Sequence, residues 1–323
     1  MKVETEAIGS RGAGWIRSQG PLITLVALLV IASVCFPEFP AAGNMANIGR
    51  QISMSGVLAT GMAFVILSGG IDLSVGSIAA LASLLSAKLS GEFSPATVLV
   101  PIAAGVAVGA MNGVLIARLK ITPFIATLAM MLGVRGLVFI LAGKKAVVSG
   151  VSGGWFSKIA WGDWMGIPYS AMIFAVLLAI ALVVSRWTSF GRSVYAVGGN
   201  EDAAGMMGLR VRRCKMTVYM ICGGCAGTGG VILASRVTSV RPDIAIGWEL
   251  DAIAAVVISG ISLVGGIGKI GHVVYGVLIL GVIPNIINRL PISLPTYSNH
   301  LITGMLLLAV VLLQAIMVKR NSR

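Results

Sequence analysis

Long uncharged stretches alternate with short polar segments along the whole chain. Ten apolar segments stand out, at 21–36, 51–68, 72–90, 96–117, 122–142, 169–186, 216–235, 249–264, 271–288 and 299–318. Their apolar residues run continuously instead of alternating, which predicts helices and not the strands of a barrel. In hydrocarbon each backbone amide needs a partner inside its own segment, and a helix supplies one. Several of the ten are shorter than the ~20 residues a straight span requires, so broken or re-entrant helices are expected among them. The pattern predicts an all-α membrane protein: a polytopic bundle of about ten transmembrane helices, forming one domain over 1–323 after a cytoplasmic tail at 1–20.

Composition supports this reading. Hydrophobic residues make up 57% of the chain and charged residues 11%, against about 25% charged in a soluble domain. A chain so poor in charge cannot cover its surface with polar groups and must face a lipid bilayer. The net charge of +13 would suggest nucleic acid if it formed a patch. The basic residues instead sit in short clusters between apolar runs, so no nucleic-acid partner is expected.

Those clusters predict orientation. With ten spans and the N-terminus inside, fifteen basic residues are cytoplasmic: Lys2, Arg11, Arg17, Arg118, Lys120, Arg186, Arg192, Arg210, Arg212, Arg213, Lys215, Lys269, Lys319, Arg320 and Arg323. Eight lie outside: Arg50, Lys88, Lys144, Lys145, Lys158, Arg236, Arg241 and Arg289. The bias puts both termini in the cytoplasm. The first apolar segment is read as an uncleaved helix because so many spans follow it.

Two connections are long. The segment 143–168 carries Trp155, Trp161 and Trp164, which suit an external interface where an indole keeps one edge wet. The segment 187–215 is basic and glycine-punctuated. Within it, NEDAAGMM lies between the Gly198–Gly199 pair and Gly208. Asn200 is placed to cap a short helix there, with Glu201 and Asp202 in the first turn where the helix dipole favours acids. Such a helix in a cytoplasmic loop is a docking surface for a soluble partner.

Few residues can carry chemistry. Asp72 follows Gly69 and Gly70 between two apolar runs. An acid near membrane depth costs about 2.5–3.5 kcal/mol and normally faces a cavity or a partner. The glycine pair breaks the helix, and Asp72 or Ser74 can then cap the next one; a place on a substrate pathway is compatible with that. Glu249 and Asp251 open a later span and suit an N-terminal cap. Arg135, inside a span, is expected to pair with an acid, Asp72 among them, or with carbonyls at a broken helix. Asn285 and Asn288, with Arg289, follow a proline in the ninth segment, where amides bond hydroxyl-rich ligands or neighbouring helices. His272 and His300 are read as interface or packing residues. Asp72 set on Asp251 aligns two small-residue runs 179 residues apart, the pattern expected of two related halves.

Other patterns are set aside. Cys222 and Cys225 form a C-x-x-C inside a span without a second pair, so they read as small packing residues and not as a metal or redox site. Gly266-Ile-Gly268-Lys-Ile-Gly271 fits G-x-G-x-x-G but follows a membrane span, and it reads as a tight turn. No P-loop occurs, and no nucleophile–base pair or paired carboxylates emerge, so no enzyme is expected.

Four stretches together are distinctive: ILSGGIDLSVGS (66–77), ITPFIATLAMM, FGRSVYAVGGNEDAAGMMGLRV (190–211) and ELDAIAAVVISGISLVGGIG (249–268). From about residue 45 to 318 the chain resembles the ribose/xylose/galactofuranose-type sugar ABC permeases. The resemblance implies a second permease subunit, identical or a sister chain, and two cytoplasmic ATPase subunits that bind the ATP and Mg; this chain itself holds no cofactor. It also implies a periplasmic sugar-binding protein, a coupling segment at 198–209, and Asp72 near the translocation path. Permeation of a branched-chain amino acid or a signalling furanose, or ion-coupled secondary transport, are the competing expectations.

Overall fold

The computed structural model describes residues 20–90, 94–143, 147–148 and 154–289, with 304, 305 and 308. The tail expected at 1–20 (all but its last residue), the segment 299–318 and His300 fall outside the described residues, apart from 304, 305 and 308. Helices occupy the other nine expected segments: α1 (Gly20–Cys35), α2 (Ala42–Leu67), α3 (Val75–Leu89), α4 (Ala96–Ala117), α5 (Pro123–Ala142), α7 (Tyr169–Trp187), α10 (Val211–Arg236), α11 (Trp248–Ile258) and α12 (Val273–Ile287). Short helices α6 (Lys158–Trp161), α8 (Ser189–Gly199) and α9 (Glu201–Met206) lie in the two long connections. Among the described residues, six helices are long and apolar enough to cross a membrane, α12 together with the 3-10 turn at 270–272 being one of them.

Three boundaries differ from the hydropathy pattern, each for a physical reason. Helix α2 begins nine residues before the expected 51, through Asn44, Asn47 and Arg50, because a helix continues into polar surroundings that hydropathy does not score. Helix α10 likewise begins in the basic Arg212–Arg213 turn. The eighth segment, expected at 249–264, stops as a helix at Ile258. Beyond it Gly260, Gly265, Gly266 and Gly268 take φ of +86°, +97°, +67° and +136°, values open to glycine and closed to a right-handed helix.

The core is built around α10 and α2. Helix α2 is buried over 83% of its most apolar stretch, whereas α5 is buried over 22% and lies at the periphery. Helices α10 and α4 approach backbone to backbone: a Cβ at Gly105 or Gly109 would run into the carbonyls of Gly223 and Tyr219. Between apolar helices in lipid, such close packing replaces the hydrophobic effect as the force for association. Two small antiparallel pairs complete the described fold, β1 (Val147–Val148) with β4 (Ser239–Val240), and β2 (Asp163–Trp164) with β3 (Ile167–Pro168).

Helix α10 gives a scale of depth, since its 26 residues span about 39 Å. Its first turns lie beside α8 and α9; its last residue accepts a hydrogen bond from Trp161 Nε1 at 3.2 Å, at the far end of the bundle.

Overpacking at the α4–α10 contact is expected to destabilise by about 1–3 kcal/mol or more. Gly223→Val should lower the melting temperature of the detergent-solubilised protein, while Gly133→Ala, where a Cβ meets nothing within 4 Å, should leave it unchanged.

Candidate functional site

The first feature is a buried helix break. Helix α2 ends at Leu67, and the chain turns at Gly69, whose φ is +80°, before α3. Asp72 and Ser74 are fully buried there. Asp72 Oδ1 accepts from Ser74 N at 2.9 Å and from Ser74 Oγ at 2.6 Å. Asn112 Nδ2 of α4 donates to Ser74 Oγ at 2.9 Å and reaches Asp72 Oδ1 at 3.4 Å. Cys222 of α10 lies beside the same carboxyl, whose Oδ2 is buried without a hydrogen-bond partner. Thr127 Oγ1 and Tyr219 Oη approach the carbonyl of Ile71, each at 3.4 Å. Cys222 is about 17 Å along α10, so the break sits near mid-depth. Ser74 occupies the cap position of α3 without capping it by its side chain; its hydroxyl donates to Asp72 instead.

A second short helix starts nearby. Gly247, with φ +86°, precedes α11, and its amide donates to Glu249 Oε1 at 3.2 Å, in keeping with a capping role for Glu249. Gly76 of α3 lets Glu249 and the carbonyl of Ala245 come into contact with it. Helices α3 and α11 therefore begin side by side. From there α3 runs along α10 towards Gly230, while α11 runs back to a turn against Leu67. Arg135 Nη1 donates to the carbonyls of Pro242 and Ile244 at 3.1 and 2.7 Å. The carbonyl expectation is met, and the Arg135–Asp72 pair is not formed: Asp72 is enclosed by Ser74, Asn112 and Cys222, and the acids whose charge reaches Arg135 are Glu249 and Asp243. Asp251 is exposed.

The amides of the ninth segment separate. Asn285 Nδ2 donates to Asn44 Oδ1 at 2.8 Å, and Asn44 Nδ2 returns a bond at 3.2 Å. Asn285 thus ties α12 to α2, while Asn288 is exposed one turn on.

The connection 187–215 contains two helices where the sequence pointed to one. Thr188 Oγ1 accepts from Gly191 N at 3.1 Å and caps α8; Asn200 Oδ1 accepts from Ala203 N at 2.9 Å and caps α9 as expected. Glu201 pairs with Lys215, Asp202 is exposed, and Gly208 turns the chain with φ +82°. Met206 and Met207 at the tip are 90% and 72% exposed. Gly198 packs so tightly on the carbonyl of Leu67 that any side chain would overlap it, whereas Gly199 faces open space. Gly266 N donates to Leu67 O at 3.0 Å, and Tyr195 Oη donates to Gly268 O at 3.1 Å, where burial pushes its phenol above the ordinary range. The end of α2, the end of α8 and the 259–269 turn thus meet in one junction, five residues before Asp72. The sequence reading missed Asn112, Thr127 and Tyr219. Asn112 carried a signal, as an amide alone in an apolar run.

A family model described as "Branched-chain amino acid transport system / permease component" matches residues 44–311. The chain belongs to this permease family. One relative is the ribose import permease protein RbsC of Escherichia coli (strain K12), 39% identical over 305 residues, which are 92% of this chain and 94% of the relative. The L-arabinose transport system permease protein AraH of the same organism is 40% identical over 301 residues, 91% and 89% of the two chains. RbsC of Bacillus subtilis (strain 168) is 38% identical over 314 residues, 97% of each. No solved structure matches. Family membership and the six apolar helices make this a multi-pass inner-membrane permease, a transport component and not an enzyme.

Asp72→Ala strands two donors of Ser74 and weakens the hold on Asn112, each buried loss costing about 1–3 kcal/mol. The variant should melt earlier in detergent and transport less than Glu38→Ala, which alters an exposed residue. Equal stability and uptake in the two variants would contradict a structural role for the break.

Proposed function

We propose that this chain is the permease subunit of an ATP-driven bacterial importer that carries a monosaccharide, a pentose or hexose of the ribose class, by alternating access. The observation that carries the reading is the near-full-length similarity to permeases named for ribose and L-arabinose. Its partners are two cytoplasmic ATPase subunits holding the ATP and Mg, a second permease subunit and a periplasmic sugar-binding protein.

Several features support the finer assignments. The groove beside α9, of about 790 Å³, is lined by Lys120, Glu201, Asp202, Met206, Arg212 and Lys215, a receptive surface for a soluble subunit. The same end holds Arg118, Arg210 and Arg213, while Arg50 lies over the Trp161 ring near Arg236 at the other. By the positive-inside rule the α8–α9 end is cytoplasmic. Residues 198–209 then act as the coupling segment. Movement of α9 pulls α8, and Gly198 transmits it to the end of α2 and the Asp72 break. The two short helices that begin side by side and run apart fit two related halves.

Reconstitution with the ATPase and the sugar-binding protein tests this. ATP-dependent uptake of D-ribose or L-arabinose, insensitive to a proton uncoupler, is the expected result; uptake without ATP would point to an ion-coupled carrier. Glu201→Ala should leave insertion intact and lower uptake per ATP hydrolysed several-fold, and unchanged coupling would sink the role of α9. Gly198→Ala should have a larger effect than Gly199→Ala.

A further inference from the structure

The acid at the break is bonded through one oxygen only. Three donors converge on Asp72 Oδ1: Ser74 N at 2.9 Å, Ser74 Oγ at 2.6 Å and Asn112 Nδ2 at 3.4 Å. Asp72 Oδ2 is buried without a hydrogen-bond partner, and so is Asn112 Oδ1. Both residues are fully buried. The two orphaned oxygens belong to the same two planar groups that already meet through Oδ1 and Nδ2. Each is an acceptor, and leaving a buried acceptor unmet costs about 1–3 kcal/mol.

A carboxylate accepts at both of its oxygens, whereas a carboxylic acid accepts at one and donates from the other. Asp72 shows the second pattern. With a proton on Oδ2, Asp72 donates to Asn112 Oδ1 while Asn112 Nδ2 donates to Asp72 Oδ1. Acid and amide then form a closed ring of two hydrogen bonds, and neither residue keeps an orphan.

Charge leads to the same state. Among the described residues, Ser74, Asn112 of α4 and Cys222 of α10 meet the carboxyl, with Tyr219 of α10 and Thr127 of α5 on the neighbouring Ile71 carbonyl. None of these is a cation. Arg135 is occupied by the carbonyls of Pro242 and Ile244. Helix α11 brings a further acid, Glu249, against Gly76 of α3. An unpaired carboxylate near mid-depth is expensive, and a like charge close by adds to the cost. A trapped water would offer both orphans a donor but would leave that charge in place.

We propose that Asp72 holds a proton on Oδ2 and shares it in a hydrogen bond with Asn112 Oδ1, so that a neutral acid–amide pair clasps the break to α4. Asp72 is then a positioning residue. An acid that couples transport to a proton gradient has to release its proton in each cycle; the Asp72 proton stays. The break can shift against α4 without baring a charge to hydrocarbon, whichever solute the permease carries.

The test is infrared spectroscopy of the full-length permease in lipid vesicles at neutral pH, with carbon-13 in the side-chain carboxyl of its aspartates. A carboxylic-acid C=O stretch that shifts with the label and in heavy water is expected. Asp163, Asp202, Asp243 and Asp251 are exposed, so the band reports on the one buried aspartate, and it should vanish in Asp72→Asn. Asn112→Ala should move it to higher frequency, because the acid loses its acceptor. Asp72→Asn keeps an acceptor for Ser74 and a donor for Asn112. In the complete transporter it should melt near the wild type and hold uptake of the wild-type cargo within about twofold. Label seen only in carboxylate bands would overturn the proposal, whether a water or a turned Asn112 amide then meets Oδ2. So would an Asp72→Asn variant that inserts and melts normally but no longer transports.

Discussion

Everything in this fold depends on one constraint: a helix broken inside hydrocarbon exposes amides and carbonyls that only other parts of the protein can satisfy. The break at 68–74 is tolerated because three helices, α4, α5 and α10, close on it. Asp72 accepts both donors of Ser74, Asn112 bridges in from α4, and Thr127 and Tyr219 reach the carbonyl of Ile71. The start of α11 meets the same demand differently, with Arg135 taking two carbonyls of the 242–244 segment and Glu249 taking the amide of Gly247. Each break is therefore sealed by residues from distant parts of the chain, and the breaks hold the bundle together as much as they interrupt it.

Glycine makes this sealing possible. Gly105 and Gly109 bring α4 against α10 closely enough for Asn112, one turn further on, to reach Ser74. Gly76 brings the starts of α3 and α11 into contact, and Gly198 joins α8 to the end of α2. At these points backbone meets backbone, so a shift of one element cannot be absorbed by a side chain rotating away. Backbone contact at Gly198 therefore links the end of α8 firmly to the end of α2 and to the break that follows it.

Helix α11 starts at Trp248, beside a cavity of about 500 Å³ that Gln51, Arg236 and Asp251 also line.

The sequence by itself determined the membrane class, nine of the described helices, the cap at Asn200 and the break at Gly69–Gly70. These follow from local rules: hydropathy over a window, a side chain reaching an amide three residues on, a glycine free to take positive φ. Motifs at 66–77 and 190–211 also carried the family. Only the tertiary structure decided which partner each polar residue took. Arg135 chose carbonyls of a segment 107 and 109 residues away over Asp72, and Asn285 bonded Asn44 across 241 residues. It also decided that α11 stops at Ile258 and that α8 precedes α9. Such choices depend on which surfaces meet in three dimensions, and a linear pattern of apolar runs holds no record of that.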